Sequence, residues 1–153
     1  MNRVCLSTTF VADQSSLNYA LELCDEAKIS AVEIGSNHCY EPDYCYVSDY
    51  SFEYLVHNYF PVPKESLVVN IASLDEKIRR CSIKQIKNAI DFCSRIDAKL
   101  YTFHPGFLTD PKGVNQSSQN YDFQWDTQGL KTKNYEMAWE RLVGALHEIR
   151  SEE

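Results

Sequence analysis

Two histidines stand at chemically informative places in this chain. His57 closes the run Phe52-Glu-Tyr-Leu-Val, and His104 closes Leu100-Tyr-Thr-Phe before Pro105-Gly106 breaks the pattern. Imidazole exchanges protons near neutral pH and binds divalent metals through a neutral ring nitrogen. A short apolar run that ends in such a group reads as a buried strand delivering it to the C-terminal edge of a parallel sheet. Open α/β sheets and α/β barrels carry their chemistry at that edge. Glu33 interrupts the otherwise apolar Ala31-Val-Glu-Ile-Gly35. It is expected to contact a substrate there, or to pair with a buried cation such as Arg3. Asn58, Tyr59 and Phe60 follow the first histidine, and Phe107 follows the second motif. An amide suits sugar hydroxyls, and an aromatic ring suits a sugar's apolar face or a nucleobase. Turn chemistry and ordinary packing account for the same residues equally well, and for Asn70. His38 follows strand two, within reach of the mouth, but reads more readily as a solvated loop residue, and His147 reads as a surface one.

The elements that must hold these groups alternate. Val4 to Phe10 reads as a first strand. Ser15 or Ser16 then caps a helix whose apolar face is Leu17, Ala20, Leu21, Cys24 and Ala27. Strand two is Ala31 to Gly35. Residues 36 to 51 are polar and aromatic, with room only for a short or distorted helix near Asp43 to Ser48. Strand three runs from Phe52 to about Asn58. Pro61 and Pro63 then exclude a regular helix, and Leu67 to Ala72 is expected to extend alongside the sheet. Ser73-Leu-Asp-Glu76 has the spacing of a capping box for a helix to about Ile96, buried through Ile83, Ile86, Ile90 and Cys93. Strand four is Leu100 to His104. A loop from Gly106 to about Thr132 carries Tyr121, Phe123 and Trp125, and loops of this length are usually functional. A last helix begins near Asn134, with Ala138, Leu142, Ala145 and Ile149 as its stripe. The fold class is therefore α/β, four βα units with a parallel sheet, equivalent to the N-terminal half of a (β/α)8 TIM barrel. A complete barrel needs ~250 residues.

The chain has 153 residues, a net charge of −7 and 44% hydrophobic residues, which suits one domain over residues 1–153. The acidic balance argues against nucleic acid as a partner, because phosphate binding needs a basic footprint. No run is apolar enough to span a bilayer, and the N-terminus lacks a signal peptide, so a cytoplasmic protein is expected. The six cysteines form no C-x-x-C pair and read chiefly as small buried hydrophobes.

Ala31-Val-Glu-Ile-Gly35, His57-Asn-Tyr-Phe-Pro61 with Val69-Asn-Ile-Ala-Ser73, and Phe103-His-Pro-Gly106 together resemble the N-terminal half of the xylose isomerase-like TIM barrels. That superfamily holds sugar phosphate isomerases and epimerases and type 2 AP endonucleases. The resemblance implies that His57 and His104 are metal ligands, as in the nuclease branch. It implies a divalent metal (Mn, Zn, Mg or Co) in a complete site, with weak or no binding by this chain alone. Three functions follow as expectations. The first is a sugar or sugar-phosphate isomerase or epimerase, using metal-assisted proton or hydride transfer next to a carbonyl. The second is an AP-site phosphodiesterase. The third is a non-catalytic half-barrel. A half-barrel whose inner face carries Val32, Ile34, Leu55 and Tyr101 is also expected to form a homodimer or larger assembly, because it would expose apolar surface.

Overall fold

The computed structural model describes residues 4–112, 124–125 and 132–150. They fall into two compact units, Met1–Lys64 with Asn88–Phe103, and Glu65–Lys87 with His104–Glu153.

The first unit is built on one four-stranded parallel sheet in the order β1 (Leu6–Ser7), β2 (Ala31–Ile34), β3 (Glu53–His57), β4 (Leu100–Thr102). This is the expected α/β half-barrel order, with strands shorter than their apolar runs. After β1 the chain turns at once into a 3-10 turn, Thr8–Phe10. The helix α1 (Leu17–Glu26) starts where Ser16 Oγ accepts the Tyr19 N–H at 3.2 Å, as its sequence suggests. Leu17, Ala20, Leu21 and Cys24 are buried, but Ala27 is exposed beyond the helix end. The helix stops without glycine. Lys28 takes a left-handed φ of 56°, and the Ile29 N–H donates to the Cys24 carbonyl at 3.0 Å. The second helix, α2 (Glu76–Arg95), ends in the same way. Asp97 has φ 53°, and the Ala98 N–H donates to the Cys93 carbonyl at 2.9 Å. In both, the orphan carbonyls of the last turn are satisfied while the chain reverses toward the next strand.

Strand alternation divides the sheet into two faces. Val32, Ile34, Tyr54 and Val56 are buried with Leu17, Leu21, Phe60 and Phe92 in one core, and Tyr101 packs against it. Glu33, Glu53, Leu55 and His57 are only half-buried on the other face. The expected inner face is therefore corrected: of its four named residues, Leu55 alone lies on the open side. The reason is alternation itself, since Val32 and Ile34 flank Glu33 and must point away from it. Strand β4 is an edge strand, and its Leu100 is 50% exposed. The aromatic stretch before β3 supplies core. Tyr44 and Val47 are buried, and a 3-10 turn at Cys45–Asp49 stands where a distorted helix was expected. The buried Tyr54 phenol donates to the Val47 carbonyl at 2.8 Å. Phe60, for which ligand stacking and ordinary packing both stood open, is fully buried between Tyr44 and Phe92 at centroid distances of 4.7 and 5.0 Å.

In the second unit the Leu67–Ala72 stretch is buried from Val68 onward but pairs with no strand among the described residues. The capping box also needs correction. Asp75 Oδ1 caps α2 by accepting the Lys77 and Ile78 N–H groups at 2.8 and 3.3 Å. Ser73 stands two residues before this cap: its hydroxyl donates to Asp110 Oδ2 at 2.6 Å and accepts the Asp75 N–H at 3.0 Å. Glu76 is occupied by Arg79, Arg80 and Arg141, and hydrogen bonds first from Arg79 and then from Arg80 hold its carboxyl down at about 2. Of the expected α2 stripe, Ile83, Ile86 and Cys93 are buried and Ile90 is half-buried; Ala89 and Phe92 complete the buried face. The expected long loop contains an antiparallel ladder, β5 (Pro111–Lys112) with β6 (Gln124–Trp125). Tyr121 and Phe123 lie outside the described residues. The last helix, α3 (Thr132–Arg150), buries Ala138 and Ala145 and half-buries Leu142 and Ile149. His147 is exposed, as expected. Among the described residues no helix is long and apolar enough to cross a membrane.

Candidate functional site

In the first unit the site residues gather at the C-terminal edge of the sheet. His57 is the last residue of β3, in register with Thr102 at the end of β4. Its Nδ1 lies 2.8 Å from Thr102 Oγ1, which fixes the ring's direction. Glu33 of β2 is in register with Leu55, two residues before His57. Glu33 and His57 thus share the open face of neighbouring strands, their Cα atoms ~8 Å apart by strand spacing and rise. The Cys5 thiol is pushed up by burial first, and then by the Glu33 and Glu53 carboxylates, so these charges surround the same face.

Asn58 is buried, and its N–H donates to the Thr102 carbonyl at 2.9 Å. Its Oδ1 is buried without a hydrogen-bond partner among the described residues, which is uncommon for a buried acceptor. Tyr59 is half-buried with φ 67°, a left-handed conformation rare for a bulky residue and found mostly where function demands it. The peptide bond that follows Phe60 is cis.

Behind this edge the structure places a residue that the sequence reading misassigned. His38 is 0% exposed, not solvated. Its Nδ1 is 3.3 Å from the Ser15 carbonyl and its Nε2 is 2.8 Å from Thr8 Oγ1. A carbonyl can only accept, so Nδ1 carries the proton and Nε2 accepts the Thr8 hydroxyl. Thr8 Oγ1 in turn accepts the Gly35 N–H at 3.0 Å. Burial pulls the His38 pKa down, against the Ser15 hydrogen bond and the Glu41 charge, in keeping with a neutral ring. A Cβ at Gly35 would meet the methyl of the exposed Thr9 side chain, which would have to rotate away. The loops after β1 and β2 are thereby laced together, with further bonds from the Gln14 N–H to the Asn37 carbonyl and from the Cys39 N–H to the Ser15 carbonyl. Nothing local in the sequence signals this, because His38 finds its partners 23 and 30 residues away.

In the second unit His104 is exposed, two residues beyond the end of β4 rather than on it. Phe107 is half-buried and helps to line an apolar groove of about 140 Å³ with Ala138 and Trp139. Asn70 is 0% exposed, and both ends of its carboxamide are engaged by protein groups. It therefore does not present an amide to a sugar hydroxyl. A separate cleft of about 580 Å³ in the first unit, at Glu53, Arg95 and Lys99, includes none of the predicted site residues.

A family model described as a xylose isomerase-like TIM barrel matches residues 46–151, well over half of the chain. The chain belongs to that family. No curated protein and no solved structure matches it. The matched segment of this xylose isomerase-like chain contains His57, Asn58, Tyr59, His104 and Phe107, whereas Glu33 and His38 precede it.

The resemblance implies a divalent metal held by His57 and His104. Among the described residues no three His, Cys, Asp or Glu side chains are grouped to hold an ion, and zinc uses roughly three or four protein ligands. Titration calorimetry with Zn²⁺ or Mn²⁺ is therefore expected to show only weak binding, abolished by His57→Ala with His104→Ala. Tight one-to-one binding that survives both substitutions would end the assignment of these histidines as ligands.

Proposed function

We propose that this chain acts on a sugar or sugar phosphate, moving a proton next to a carbonyl as an isomerase or epimerase does. The observation that carries the reading is the shared placement of Glu33 and His57 on one open face at the C-terminal edge of a parallel sheet. Moving a proton between neighbouring carbons of a hydroxycarbonyl needs a base at one carbon and an acid near the carbonyl oxygen. Glu33 takes the proton from carbon. His57 gives one to the carbonyl oxygen, forming an enediol, and the two groups reverse roles to complete the exchange. Tyr59 supplies an apolar ring for a polyhydroxylated ligand at the same strand end. The net charge of −7 weighs against the phosphodiesterase alternative, which must hold a polyanion.

Proton exchange from D2O into fructose 6-phosphate, ribulose 5-phosphate and their unphosphorylated sugars, followed by NMR with and without Mn²⁺, tests this. Glu33→Gln and His57→Ala are each expected to lower the rate by at least ~100-fold, with the fold retained by circular dichroism. Cleavage of abasic DNA without any exchange into sugars would replace this reading with the nuclease one.

A further inference from the structure

The second unit contains a buried side chain that ties α2 to the segment carrying the second histidine motif. Asn70 is anchored to α2, because its N–H donates to Ser82 Oγ at 2.9 Å and that hydroxyl donates to the Ile78 carbonyl at 2.8 Å. Its side chain then clasps Phe107 from both sides. Asn70 Nδ2 donates to the Phe107 carbonyl at 3.1 Å, while Asn70 Oδ1 accepts the Phe107 N–H at 3.0 Å. The second Nδ2 hydrogen goes to Asp110 Oδ1 at 2.8 Å, and Oδ1 also accepts the Ala72 N–H at 3.2 Å. Asp110 is held from its other oxygen by the Ser73 hydroxyl at 2.6 Å. One residue on, the Ile71 N–H donates to the Pro105 carbonyl at 3.0 Å.

Only a short carboxamide meets these demands. It offers an acceptor and two donors in one plane, the match for one residue's N–H and C=O plus a carboxylate. Aspartate lacks the donors, serine lacks the reach, and glutamine is one carbon too long. We propose that Asn70 is the positioning residue for His104–Phe107, setting where that histidine and that aromatic ring stand. The proposal rests on the sugar-directed reading above for its consequence in turnover, but not for the clasp itself.

Three variants of the full chain separate the possibilities. Asn70→Ala removes all four side-chain bonds. Asn70→Asp keeps the acceptor bonds and sets a carboxylate against Asp110, and adding Asp110→Asn to it restores a donor between the two. Amide hydrogen exchange is read at Phe107 and Ala72 against the slowest amides of α1, and KM is read in the sugar-phosphate exchange assay. Asn70→Ala is expected to speed exchange at Phe107 and Ala72 by about tenfold or more beyond any change in α1. Asn70→Asp is expected to raise KM by about tenfold, with the double variant returning within about threefold of wild type. A role in stability alone would shift all amides together and lower the active fraction without moving KM. Exchange at Phe107 that tracks α1, or an unchanged KM in Asn70→Asp, overturns the proposal. A wild type that turns over none of the sugars refutes the functional reading, and the amide exchange then still decides the clasp.

Discussion

Gly106→Ala is expected to destabilise the chain by about 4 kcal/mol, the largest effect of any single methyl addition at its described glycines. Two costs combine. The φ of Gly106 is 141°, a conformation essentially restricted to glycine, and an L side chain there costs about 1–3 kcal/mol. The added Cβ would also collide with Asn70 Oδ1 and stand 3.0 Å from the Asn70 Cα. Neither contact can relax cheaply, because Asn70 is 0% exposed and bonded at every polar side-chain atom. For a domain of this size the loss corresponds to a fall in Tm of roughly 8–16 °C. Gly144→Ala is the control. A Cβ at Gly144 meets nothing within 4 Å, the residue lies inside α3, and alanine there is expected to stabilise by about 0.5–1 kcal/mol. Thermal melts of the two variants decide the matter; equal Tm values would show that the approach of Gly106 to Asn70 carries no energy.

His38→Leu is expected to cost about 3 kcal/mol at pH 8 and to remove a pH dependence. The substitution leaves Thr8 Oγ1 without its imidazole partner and Ser15 without its ring donor, and buried groups so stranded cost about 1–3 kcal/mol each. The pH effect has a definite sign. Burial lowers the folded-state pKa of His38 below its ordinary value of 6.5. Between that depressed pKa and 6.5 the unfolded chain therefore binds a proton that the folded chain refuses. Stability is complete above 6.5 and falls as pH drops through this window, by up to about 1.4 kcal/mol per pH unit. Urea unfolding of wild type and variant from pH 8 to pH 5 isolates the effect, since subtraction cancels the other three histidines. A stability difference between the two proteins that stays constant across this range would refute a buried neutral His38.

These two positions differ in how far the sequence reveals them. Pro105-Gly106 is legible as a break after an apolar run, but not the side chain that Gly106 must admit. Local chemistry settled the parts that depend on neighbours in the chain. The i, i+3, i+4 spacing from Leu17 to Cys24 and the Ser16 hydroxyl specify α1. Short β-rich runs separated by helices specify a parallel sheet with His57 at a strand end. The motifs at Ala31–Gly35, His57–Pro61 and Phe103–Gly106 carried the resemblance to the xylose isomerase-like family that the matched segment establishes.

Tertiary structure decided what local spacing leaves degenerate. Ser73 and Glu76 have capping-box spacing, yet Asp75 takes the N-cap, while Ser73 bonds the distant Asp110 and Glu76 bonds arginines that include the distant Arg141. Phe60 and Tyr59 are adjacent aromatics, and only the packing of Tyr44 and Phe92 puts one ring in the core and leaves the other at the strand end. His38 and Asn70 look like ordinary polar loop residues, and both are fully buried. A polar side chain is buried only when distant groups satisfy it, and those groups, 23 to 40 residues away, meet it only once the chain has folded.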